Sequence, residues 1–126
     1  MCILMVEDEA MIVEIMAEAL EEAGYEVLTA ATGPEAVALI EERHAYLTGL
    51  LCDFHLPGGL TGLDVASALR ARRPCLPVVL ATGRPDLLEG HGRWRAGYRL
   101  LHKPYRPSVM VQLLLSMVAP TRVRRI

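Results

Sequence analysis

Residues 1–42 contain no Lys or Arg, and among the thirteen basic residues that begin at Arg43 only Lys103 is a lysine. Eleven of the fifteen acids fall in that same first third. The net charge of −2 therefore conceals a polar molecule, with a solvated acidic surface expected on one side and a basic one on another. Arg122, Arg124 and Arg125 make only a short basic tail, and without a helix-turn-helix or winged-helix segment no nucleic-acid binding is expected. Long apolar runs are missing too. The opening Met-Cys-Ile-Leu-Met-Val is cut at Glu7, too short for a signal core and without a basic leader. No segment approaches the ~20 apolar residues of a membrane span, so a soluble, non-membrane protein is expected. Cys2, Cys52 and Cys75 show no Cys-x-x-Cys or Cys/His spacing, which excludes a disulfide framework and a zinc site and fits a reducing cytoplasm. Repeats, linkers and low-complexity segments are also absent. The 126 residues, 52 % apolar, are expected to form one compact domain over 1–119 with a short basic tail over 120–126.

What is present is an alternation. Short apolar runs at 2–6, 26–29, 48–52, 77–81 and 98–101 are separated by stretches of helical periodicity, the mark of βαβ units and a parallel sheet covered on both faces. Met11, Ile12, Ile15, Met16, Ala19 and Leu20 form the apolar stripe of a first helix, closed by Gly24. A second helix starts at Gly33-Pro34 and buries Ala36, Val37, Leu39 and Ile40; a third starts near Gly62 and stops before Pro74. A fourth, over 84–89, is expected to be short because Gly90 and Gly92 follow it. The fifth starts near Pro107 and has only the narrow polar stripe Ser108, Gln112, Ser116. It is either well buried or presents a second face to a partner.

In an open parallel sheet, ligands bind beyond the carboxyl ends of the strands, where strand order reverses. Glu7 and Asp8 follow the first run, Asp53 the third, Thr82 the fourth and Lys103 the fifth. The order 2-1-3-4-5 gathers them into one cluster. Three clustered carboxylates repel one another unless a cation balances them, and hard oxygen ligands favour Mg²⁺. Asp53 is then a carboxylate nucleophile able to form an acyl phosphate by in-line attack. Thr82 can hydrogen-bond one phosphoryl oxygen, and Lys103, in a chain that otherwise uses arginine, offers a compact charge to another.

The segments Val6-Glu7-Asp8-Glu9, Leu51-Cys52-Asp53-Phe54-His55-Leu56-Pro57-Gly58, Leu80-Ala81-Thr82-Gly83 and His102-Lys103-Pro104 resemble those of bacterial two-component response-regulator receiver domains over nearly the whole chain. The resemblance implies a flavodoxin-like, doubly wound five-stranded parallel α/β fold. It implies Glu7 and Asp8 as a metal-binding acid pair for Mg²⁺, Asp53 as phosphoacceptor and metal ligand, and the His55 backbone carbonyl as a further ligand. Thr82 and Lys103 would bind the phosphoryl group, and the Lys103-Pro104 bond would be cis. The donor would be a histidine kinase or histidine phosphotransfer protein. The chain would be no enzyme beyond catalysing its own phosphorylation and dephosphorylation, and it would act through protein contact or as a phosphoryl sink. A homodimer through the fourth-helix, fifth-strand and fifth-helix face is also implied.

The pattern is broken in one place. Receivers carry an aromatic residue three positions before the lysine, and here that position is Leu100. Tyr98 is on the same strand face but ~7 Å away along the strand. Together with the Ala81-Thr82-Gly83 ending, this resembles a variant subset lacking the aromatic switch, and the output change is expected in residues 83–97. His55 and Arg84 occupy positions that tune phosphoryl lifetime in the family, or are simply exposed polar side chains. Gly58-Gly59-Leu-Thr-Gly62 matches no nucleotide-binding loop and reads as a flexible turn beside the metal site. Two alternatives stand: a pseudo-receiver acting only as an interaction module, and the receiver segment of a hybrid kinase. An aspartyl phosphatase needs Asp-x-Asp, and Asp53-Phe54-His55 lacks the second acid.

Overall fold

The computed structural model describes residues 1–86 and 97–118. Five parallel strands, β1 (Cys2–Val6), β2 (Glu26–Ala30), β3 (Gly49–Asp53), β4 (Val78–Thr82) and β5 (Tyr98–His102), form one sheet in the order β2-β1-β3-β4-β5. The described helices are α1 (Ala10–Glu22), α2 (Gly33–Arg43), α3 (Gly62–Arg72) and α4 (Pro107–Met117). A short 3₁₀ turn over His44–Tyr46, which the periodicity did not indicate, leads into β3. Half of the weak helix expected over 84–89, most of the output segment 83–97 and all of the basic tail 120–126 lie outside the described residues. None of the described helices is long and apolar enough to cross a membrane.

The central strands β1, β3 and β4 are buried on every residue because both faces of the sheet are covered. Along β1, Cys2, Leu4 and Val6 enter one core while Ile3 and Met5 enter the other, following the two-residue period of a strand. The first core continues through Ala36 and Ile40 of α2 and Leu63, Val65, Ala66 and Leu69 of α3. The second contains Met16 and Leu20 of α1 with Met110 and Leu114 of α4. Each fully buried Leu or Ile contributes about 1.5–3 kcal/mol, so these layers carry the fold. Helix starts follow their local chemistry. The Thr32 hydroxyl accepts the Glu35 N–H at 3.1 Å, with proline in the first turn of α2, and Thr61 and Asp64 cap α3 reciprocally.

The stripe expected on α1 is wider than the face the protein buries. Met16 and Leu20 are covered, but Met11 is 74 % and Ile15 50 % exposed. A single helix packed on a sheet covers a limited arc, and these two residues fall on its flank, beside the exposed Glu14 and Glu18. On α4, Met110 and Leu114 are buried while Val109 and Leu115 face solvent, so the helix is buried on one face only. At the amino ends of the strands, Met1, Thr48, Arg73, Cys75, Met117 and Val118 are among the residues lining a pocket of about 550 Å³. Nearby, the Tyr25 hydroxyl donates to the Val118 carbonyl, tying the end of α4 to the start of β2.

Candidate functional site

The backbone that carries the acids is held by hydrogen bonds that run past the strand ends. The Glu7 N–H donates to the Ala30 carbonyl at 3.0 Å, Phe54 N–H to Ala81 at 2.8 Å and Lys103 N–H to Thr82 at 2.8 Å. Each residue of interest therefore leaves the sheet in a direction set by its neighbouring strand. Glu7, Asp8 and Asp53 meet beyond β1 and β3, each offering a carboxylate oxygen within 4.8 Å of the others. Glu7 and Asp53 are buried, at 4 % and 7 % exposure, whereas Asp8 is open to solvent. Lys103 spans the two buried acids: its Nζ donates to Asp53 Oδ2 at 3.0 Å and to Glu7 Oε1 at 3.3 Å. Glu7 Oε2 accepts the Glu9 N–H at 3.0 Å.

Burial pushes the Asp53 carboxyl above its ordinary value, against the opposing hydrogen bond and charge of Lys103. Glu7 is raised by burial and by Asp53, with its hydrogen bond from Glu9 and the Lys103 charge acting the other way. Burial opposes the Lys103 ammonium, but the bonds and charges of Asp53 and Glu7 outweigh it and hold its value up. The cluster thus carries one more buried carboxylate than the lysine neutralises. Three hard oxygen donors, two of them buried and one open to water, fit a small divalent cation such as Mg²⁺, which retains part of its water shell. Glu7 and Asp8 also border a cleft of about 290 Å³ between α1 and the start of α2, lined further by Glu14 and Glu35.

Thr82 is fully buried and one step beyond Ala81, the register partner of Asp53. Its hydroxyl accepts the Arg84 N–H at 3.0 Å, which leaves its own proton to donate. The Arg84 side chain turns to Asp86, with contacts of 3.3 and 3.2 Å. His55 is exposed and meets Phe54 edge-on, ring centroids 4.8 Å apart. The Lys103-Pro104 bond is cis. Leu100 pairs with Leu80 and packs into the first core, and Tyr98 pairs with Val78 at the far end of β4, beneath the Arg70 guanidinium at 4.9 Å. Val78 lies four positions before Thr82 along β4, so Tyr98 does not reach the site.

Two further residues border the site: Tyr105, which the sequence did not single out, and Gly62, which it marked only as the end of a flexible turn and the start of a helix. Tyr105, two residues past Lys103, packs on the second core; burial first, then the Glu7 charge, push its phenol up to about 12. At Gly62, a Cβ would lie 2.5 Å from the Asp53 carbonyl oxygen and 2.9 Å from Phe54 Cα, and the Gly62 N–H donates to the Phe54 carbonyl at 2.8 Å. The turn expected over 58–62 is present, but it is closed at its base and packed against backbone. Gly62→Ala is expected to cost about 1–3 kcal/mol, because the backbone there has no flexible end to yield. Denaturant unfolding measures this, and an unchanged midpoint would show that α3 can back away freely.

Compared with known proteins, residues 3–115 match the response regulator receiver domain family. The chain is similar to TcrX of Mycobacterium tuberculosis, 32 % identical over 123 residues that make up 96 % of this chain and 51 % of TcrX. It is 34 % identical to the alginate biosynthesis transcriptional regulatory protein AlgB of Pseudomonas aeruginosa, over 98 % of this chain and 26 % of AlgB. It thus spans about half of one relative and about a quarter of the other. Among solved structures, the receiver domain of the hybrid histidine kinase CckA superposes with a TM-score of 0.79 at 28 % identity, over 92 % of this chain and 97 % of that one.

Proposed function

This chain belongs to the response regulator receiver domain family, and from that premise we propose that it takes its phosphoryl group on Asp53, with Mg²⁺ held by Glu7, Asp8, Asp53 and the His55 backbone carbonyl. The observation that carries the reading is the convergence of three carboxylates and one ammonium at the ends of three strands, with the nucleophile buried and bonded to the cation that would receive the charge. The Asp53 oxygen attacks the phosphorus of a phosphohistidine in line. The P–O bond forms as the P–N bond breaks, and the departing imidazole takes up a proton. Lys103 follows the developing charge from the carboxylate to a phosphoryl oxygen, and the Thr82 hydroxyl donates to another. When bound, Mg²⁺ supplies a positive centre that screens the incoming phosphoryl oxygens from the acids. Incubation with a small phosphodonor and Mg²⁺, followed by intact-mass measurement, tests the assignment. An unmodified mass would move the chain to the pseudo-receiver reading.

The family works with histidine kinases, and the surface beside Asp8 supports a donor of complementary chemistry. The exposed Met11 and Ile15 on α1 are bordered by Glu14 and Glu18, with no basic residue in the first 42 positions. That face suits an apolar patch rimmed by Lys or Arg. Glu14→Lys combined with Glu18→Lys should slow transfer from a histidine kinase by about tenfold at low salt. Uptake from a small phosphodonor should stay unchanged. Equal transfer rates for both proteins would remove this surface from the reading.

A further inference from the structure

The loop that follows Asp53 rests on the first turn of α2 through two contacts that only glycine permits. A Cβ on Gly33 would lie 2.6 Å from Leu60 Cβ and 3.4 Å from its Cδ1. On Gly58, whose φ is +96°, it would lie 2.9 Å from Pro34 Cδ. The base of the same loop is closed by the Gly62 N–H to Phe54 carbonyl bond. On its other side, this first turn of α2 grips the end of β2. The Glu35 carboxylate accepts the Ala31 N–H at 3.0 Å, and the Ala30 carbonyl accepts the Glu7 N–H at 3.0 Å. One turn of helix therefore braces both sides of the acid cluster: the backbone of Glu7 through β2, and the segment carrying the His55 carbonyl through residues 58–60.

We propose that Gly33 is a positioning residue of the cation site, acting through its contact with Leu60 to fix the loop after Asp53 relative to Glu7 and Asp8. The proposal rests on the reading of that site as a Mg²⁺ site. Gly33 touches neither the cation nor the phosphoryl group. Its missing side chain sets how closely the loop approaches α2, and hence where the loop's carbonyls lie against the carboxylates. Residues that orient metal ligands without binding the metal govern affinity in this manner.

The test is Mg²⁺ titration of the full chain by calorimetry, with unfolding in chelator measured alongside. Gly33→Ala is expected to raise the Mg²⁺ dissociation constant about tenfold. Adding Leu60→Gly should restore it to within about twofold, since the second substitution removes the Leu60 Cβ that the first one meets at 2.6 Å. Loss of stability alone would not produce that rescue in affinity. If Gly33→Ala does not fold, Leu60→Gly alone decides the question: it removes the Cβ that rests on Gly33 without adding atoms, and unchanged affinity overturns the proposal. So does a Gly33→Ala protein that binds Mg²⁺ as wild type does. Asp8→Asn separates the two levels. If it leaves Mg²⁺ affinity unchanged, the cation reading itself fails and the positioning role falls with it. If it weakens binding while Gly33→Ala does not, only the positioning role is lost.

Discussion

An Asp53→Ala protein is expected to take up no phosphoryl group from a small phosphodonor and Mg²⁺, under conditions in which the wild type gives a single adduct. Alanine removes the attacking oxygen, and nothing else in the cluster is placed to replace it. Glu7 is buried at 4 % exposure and its two oxygens are engaged by Lys103 and the Glu9 N–H. Asp8 is exposed, and the Lys103 ammonium bonds Asp53 at 3.0 Å and Glu7 at 3.3 Å rather than Asp8. Removing a nucleophile commonly costs about 10⁶ in rate, which lies below detection in a mass measurement. Misfolding is not expected to confuse the result. The substitution takes away one of two buried carboxylates and leaves Lys103 paired with Glu7, so charge balance inside the site improves. An adduct of equal yield on Asp53→Ala would place the phosphoryl group elsewhere and end the assignment.

Lys103→Met should have the largest effect on stability, and the effect should depend on metal and pH. With the ammonium gone, Glu7 and Asp53 are left as two buried carboxylates without a cation, a change that costs about 3–5 kcal/mol. Mg²⁺ should recover much of this loss, because it supplies positive charge to the same oxygens. The pH dependence follows from the direction of the shifts. Asp53 and Glu7 have raised values, so the folded protein holds their protons to higher pH than the unfolded chain does. Metal-free stability therefore falls as pH rises from the ordinary carboxylate range through the raised values. The raised Lys103 value contributes stability that is complete below the ordinary lysine range and is lost only in strongly alkaline solution, so it adds no slope near neutrality. In Lys103→Met the two acids lose the neighbour that held them down, and the fall with pH should be steeper. Denaturant unfolding in chelator across the acid-to-neutral range measures it. A variant as stable as wild type at neutral pH without metal would mean that Lys103 does not balance these acids.

Strand identity was readable because β1, β3 and β4 are five-residue runs with every residue buried, bounded by acids or turn formers. Their ends were less so. The third run reads as stopping at Cys52, yet Asp53 still pairs with Ala81, since ladder bonds depend on the neighbouring strand and not on side-chain polarity. The strand-end residues could be assembled from topology alone, and the order 2-1-3-4-5 is the one observed. What topology did not carry was reach. Lys103 bonding acids 50 and 96 residues earlier depends on side-chain conformation. Periodicity finds the apolar side of α1 but not the width of the face that is covered, so Met11 and Ile15 read as core and lie outside it. The brace between α2 and the loop after β3 is a close approach of segments distant in sequence. Nothing local around Gly33 or Leu60 announces it.

The pocket at the amino ends of the strands has a bearing on how this protein could be recut. Met1 and Val118 line the same hollow, so a short peptide joining those positions would cross little space. Such a circular permutant, opened at a surface turn remote from the acids, would keep each strand beside its present neighbours. Because the acids sit at the other ends of those strands, about five residues or roughly 17 Å away, the joint would leave their surroundings intact. The order in which the chain visits the sheet and the chemistry at its rim are therefore separable properties of this molecule.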